Sequence, residues 1–164
     1  MKKLFWLALL LVFIPKAHAE VCTTLSSGAS QSAISSALSS CGSGNTVAFS
    51  AGTYGPITST VTIPCGVSMM GPSVSYSQTP NQTAAIDGSS SNGTIWGFQT
   101  TAGCSAAQTI EYLEWNGEQA TNSGGFLNIV PGTTNLTVTH NYLHGVTATA
   151  PCCTGQSQTS NLIT

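Results

Sequence analysis

Thr109-Ile110-Glu111-Tyr112-Leu113-Glu114-Trp115-Asn116-Gly117 and, 28 residues on, Thr137-Val138-Thr139-His140-Asn141-Tyr142-Leu143-His144-Gly145 are two imperfect copies of one phrase. In each, a β-branched apolar residue follows a Thr, a large apolar residue recurs five positions later and a Gly closes the phrase. A third apolar run, Phe126-Leu127-Asn128-Ile129-Val130, lies between them and ends in Pro131-Gly132. A repeat of this length with short strand-like runs, turn residues and no helical period points to stacked β coils. Five is odd, so on one straight strand Ile110 and Trp115 would face opposite ways. A turn between them would let both enter one core.

Working outward, Asn, Gly, Pro and Ser punctuate runs of four or five residues at spacings near ten. The pattern predicts strands at Thr46–Phe49, Thr60–Ile63, Gly66–Met70, Ala84–Gly88 and Thr94–Phe98, a turn at Ala51–Tyr54 and a polar loop from Ser73 to Gln82. It excludes alternating βαβ units and leaves a sandwich, a barrel or a β solenoid, of which the internal repeat favours the solenoid. Before the strands, Ala33, Ile34, Ala37 and Leu38 form one apolar stripe on a short helix. Ser30 is its expected N-cap and Gly42 its expected stop.

Met1 to Ala19 reads as a secretory signal: Lys2 and Lys3, the apolar run Leu4 to Ile14, then Ala17-His18-Ala19 before Glu20. Its apolar run is too short to span a bilayer, so no stable membrane insertion is expected. About 145 residues remain, enough for one domain with a real core. The chain's three Lys+Arg are Lys2, Lys3 and Lys16, so the remainder sets no cationic side chain but His against Glu20, Asp87, Glu111, Glu114 and Glu118. Nothing is left to neutralise phosphates, which excludes nucleic acid as a partner.

All six Cys follow the signal, where an oxidising compartment permits disulfides. Six cysteines allow 15 connectivities; the expected pairs are Cys22 with Cys41 across the helix and Cys65 with Cys104 between coils. Cys152 and Cys153 are left for each other or for partners elsewhere. No zinc spacing is present.

The runs Asn45–Tyr54 and Val61–Gly71, together with Leu136–Gly145, resemble the coils of the pectate-lyase-like (pectin lyase fold) right-handed parallel β-helix superfamily. The resemblance spans roughly Cys22 to Gly145 and implies an all-β solenoid whose short N-terminal helix caps the stack. It places Asn141 where that family stacks an inward-turning Asn. It also implies a secreted or cell-surface carbohydrate-active protein whose partner is an extracellular polysaccharide. The expected layout is a signal at 1–19, a cap at 20–45, coils at 46–150 and a polar tail at 151–164, with the chain an N-terminal piece of something longer. The catalytic groups would then lie mainly downstream. The alternative is a non-catalytic adhesin or surface structural protein, and a weaker third is an inert scaffold.

For chemistry, the family's lyases take the C5 proton with Arg or Lys beside Ca²⁺, and neither base exists after Lys16. Hydrolysis needs two carboxylates across the scissile bond, drawn from Asp87, Glu111, Glu114 and Glu118. One register along the repeat, Glu111 and Glu114 lie over Thr139 and Tyr142. The candidate groove is therefore Glu111, Glu114 and His144 as acid/base groups with Trp115 and Tyr142 holding the sugar. A blander reading, which the residue types favour, buries Trp115 and Leu143 in matching core layers and leaves the glutamates solvated. No metal site is expected from His140 and His144, because a turn separates them. No cofactor is expected, Ca²⁺ through Asp87 or the glutamates being the one ion admitted.

Overall fold

The computed structural model describes residues 19–73, 83–90, 96–117 and 125–144. The signal up to His18, the Ser73–Gln82 loop beyond its first residue, Glu118, Gly145 and the tail with Cys152 and Cys153 lie outside the described residues. The chain is mostly β with one helix: β1 (Val21–Leu25), α1 (Gln31–Ser40), β2 (Thr46–Phe49), β3 (Gly52–Tyr54), β4 (Val61–Ile63) and β5 (Ser68–Met70). There follow β6 (Ala84–Asp87), β7 (Phe98–Thr100), β8 (Gln108–Glu111), β9 (Leu113–Asn116), β10 (Leu127–Asn128), β11 (Leu136–Thr139) and β12 (Tyr142–His144).

Every strand pairing is parallel. A five-stranded sheet runs β1-β2-β5-β8-β11, a four-stranded one β12-β9-β6-β3 and a three-stranded one β10-β7-β4. From β2 onward the chain visits the five-, four- and three-stranded sheets in turn and then repeats the cycle, so each strand pairs with its counterpart one cycle away. The two phrases sit in the register their sequence proposes: Ile110 faces Val138, Glu111 faces Thr139, Glu114 faces Tyr142 and Trp115 faces Leu143.

The odd spacing is resolved at single residues. Tyr112 (φ 56°) separates β8 from β9, and His140 (φ 53°) separates β11 from β12. A residue in the left-handed region bends the chain and resets the side-chain alternation, so Ile110, Leu113 and Trp115 all point inward, each at most 1% exposed. Such a conformation costs about 1–2 kcal/mol for an L-residue with a side chain. Two contacts offset it. The Tyr112 and His140 rings stack at 4.9 Å and 14°, and Asn141 clasps the turn one repeat earlier, its Nδ2 donating to Ile110 O (2.8 Å) and its Oδ1 accepting from Leu113 N (3.0 Å).

The core continues the same logic. Trp115 is fully buried against Phe126, whose ring meets Phe98 edge-on. A Cβ on Gly88 or Gly97 would collide with the indole, so these two positions admit no side chain. The helix begins at Gln31, directly after its expected cap. Ser30 is the N-cap, its Oγ accepting from Ala33 N (3.3 Å), and Cys41 rather than Gly42 closes the far end. Ile34, Ala37 and Leu38 are buried and the helix packs on β4, which covers the first layer. Gln31 pins the cap laterally, its Oε1 accepting from Thr58 N (2.7 Å).

Both expected disulfides are present, Cys22–Cys41 and Cys65–Cys104, at sequence separations of 19 and 39. In the chain-entropy model they contribute about 3 and about 4 kcal/mol by restricting the unfolded chain. Two strand expectations are corrected. The strand expected at Thr94–Phe98 begins only at Phe98 and runs to Thr100, Trp96 and Gly97 being outside it and residues 94 and 95 outside the described residues. Gly52–Tyr54 is a strand rather than a turn, because Gly52 at φ 138° relieves the backbone while Tyr54 alternates inward and is 1% exposed. β1, unforeseen, adds a fifth strand to the first sheet.

Candidate functional site

The outer face of the four-stranded sheet carries the polar cluster. Along β9 the side chains alternate, Leu113 and Trp115 inward and Glu114 and Asn116 outward. Register stacks Ala85, Glu114 and Tyr142 in one column and Asp87, Asn116 and His144 in the next. Glu114 is therefore the diagonal neighbour of His144 on one side and of Asp87 on the other.

His144 Nε2 lies 2.8 Å from Glu114 Oε1, with the imidazole about a third exposed and the carboxylate about a fifth exposed. Thr83 Oγ1 donates to the other carboxylate oxygen, Oε2. Against an ionised Glu114, His144 must carry a proton on Nε2; in the neutral ring Nδ1 is then free to accept. The Tyr142 and His144 rings stack at 4.6 Å, two residues apart on the same strand face. Asp87 Oδ1 accepts from Ser89 N (2.9 Å), fixing that carboxylate at the strand end. This face can thus present a carboxylate held at both oxygens, an imidazole able to share its proton, a second carboxylate and a phenol ring.

The sequence-predicted groove is only partly assembled. Glu114, Tyr142 and His144 come together. Glu111 does not join them: it ends β8 in the five-stranded sheet, and the Tyr112–His140 corner stands between it and β9. Glu111 instead borders a separate groove of about 240 Å³ shared with Val21, Ser68, Met70 and Thr109. Trp115 is a correction: its indole is 0% exposed and so offers no ring face to a sugar, the alternation along β9 having turned it inward next to Glu114. Its Nε1 finds no hydrogen-bond partner among the described residues. His140 bonds Thr139 through Nδ1 (2.9 Å) at the corner and does not converge with His144. Thr83 and Asp87 were not in the predicted groove; the register of β6 on β9, which sequence alone does not give, is what brings them in.

Among the described residues no three His, Cys, Asp or Glu side chains are grouped to hold a metal ion, and no helix is long and apolar enough to cross a membrane. The two disulfides are compatible with an extracellular protein. No family model, curated protein or solved structure matches this chain.

Proposed function

We propose that the chain is a right-handed parallel β-helix of the pectate-lyase-like kind, secreted, and that it holds an extracellular polysaccharide along the outer face of its four-stranded sheet. The cyclic visiting of three parallel sheets supports the solenoid reading, since stacked coils with three faces produce that order. The observation that carries the functional reading is the Glu114–His144 pair beside Tyr142. A carboxylate and an imidazole within 2.8 Å can take and return a proton, and the adjacent phenol ring offers an apolar surface to sugar C–H groups. Asp87, diagonal to Glu114, is the second carboxylate that glycosidic hydrolysis would require.

A non-catalytic sugar-binding surface protein is the second reading. It is favoured by the fact that both Glu114 oxygens and one Asp87 oxygen already have partners in the protein. One experiment separates the two. The secreted full chain is titrated with a glycan panel while new reducing ends are followed, alongside Glu114→Gln. Binding that falls about tenfold or more in the variant supports the site, as expected for loss of a charge-assisted hydrogen bond. Accompanying product formation identifies an enzyme, and binding without products the surface protein. Binding indifferent to Glu114 would remove this face from the reading.

A further inference from the structure

We infer that the polymer taken on this face is an uncharged glycan and not a polyuronate. This rests on the sugar-binding reading above and adds the charge class of the ligand. Residues 17–164 include no Lys or Arg, so this stretch brings no guanidinium or ammonium to the face to meet a row of carboxylates. The face itself carries Glu114 and Asp87, and Glu111 lies just across the corner. A uronate carboxylate about 8 Å from either would weaken binding roughly two- to thirtyfold per pair, depending on exposure, and a polyuronate repeats that charge at every sugar.

A cationic polymer fits no better. Glu114 Oε1 faces His144 and Oε2 faces Thr83, while Asp87 Oδ1 takes the Ser89 amide. An ammonium would have to displace the imidazole to reach Glu114. What the face does offer beside those engaged carboxylates is the Tyr142 ring, an apolar surface that suits the C–H groups of a neutral sugar ring.

The test is affinity electrophoresis of the full secreted chain through gels containing soluble β-glucan, galactomannan, polygalacturonate or chitosan. Each is run at about 20 and about 300 mM salt, with Ca²⁺ chelated or added. Retardation by an uncharged polymer, changing less than about twofold with salt, and at least tenfold weaker retardation by polygalacturonate with or without Ca²⁺ is the expected result. Tighter retention by polygalacturonate or chitosan than by either uncharged polymer overturns the charge assignment and leaves the sugar-binding reading standing. Retardation by none of the four removes both.

Discussion

The two copies of the repeat share a backbone but not a surrounding. Both carry a left-handed corner, at Tyr112 and His140, and both sit in one register. In the first copy Ile110, Leu113 and Trp115 are at most 1% exposed, while in the second Val138 and Leu143 are only partly buried against the core. The first has paired strands on both sides in its two sheets; among the described residues β11 and β12 have neighbours on one side only. Local sequence therefore fixes the shape of the phrase, and the strands paired on either side of it fix how much that shape stabilises the fold.

The largest expected effect tests that difference directly. Leu113→Ala should cost about 3–4 kcal/mol in urea unfolding and Leu143→Ala no more than about half as much, because a half-open site loses less transfer energy and leaves no sealed cavity. Equal costs would break the comparison. Next comes Gly88→Ala, whose methyl group must displace the Trp115 ring; a loss of about 1–3 kcal/mol is expected from overpacking, visible as a lowered urea midpoint. Asn141→Ala should follow at about 1–2 kcal/mol, since it strips the Ile110 carbonyl and Leu113 amide of their partner, and amide exchange at Leu113 should accelerate.

The smallest effect lies at high pH and in the first layers. Burial pushes the Tyr54 phenol above its ordinary value, and its hydroxyl donates to Ser50 O (2.7 Å) and Leu25 O (3.0 Å). Below the unfolded-state value of about 10 the phenol is protonated in both states and its contribution is intact. Above it the unfolded chain ionises first, so stability falls as pH climbs through the folded value. Tyr54→Phe should flatten that alkaline limb while lowering stability slightly at neutral pH, which urea midpoints from pH 7 to 11 would show.

Much of the architecture was legible. The 28-residue match gave the register between Thr109–Trp115 and Thr137–Leu143, and the small apolar stripe gave the helix and its Ser30 cap. Both disulfides are the expected pairs, although six cysteines alone do not choose among their 15 connectivities. Gly52 misled because a glycine between strands reads as a turn, while here it lets the strand begin at a positive φ. The candidate site was half legible: the repeat put Tyr142 over Glu114, but the sequence could not say that one left-handed Tyr112 sends Glu111 and Glu114 to different sheets. Nor could it show that alternation seals Trp115 inside. Asp87 and Thr83 entered through a pairing with no sequence echo, Ala84–Asp87 on Leu113–Asn116.

The placement of the two cystine bridges gives the molecule a mechanical polarity. Cys22–Cys41 and Cys65–Cys104 clasp the helix and the early turns, and neither reaches residues 136–144. Were the chain drawn from residue 144, the strands from β12 back to β8 would be held by hydrogen bonds and packing alone, and the chain would stiffen only on reaching Cys104, where covalent linkage takes over. Tension would thus be borne by the cystine-linked residues up to Cys104, leaving the strands after it as the yielding part.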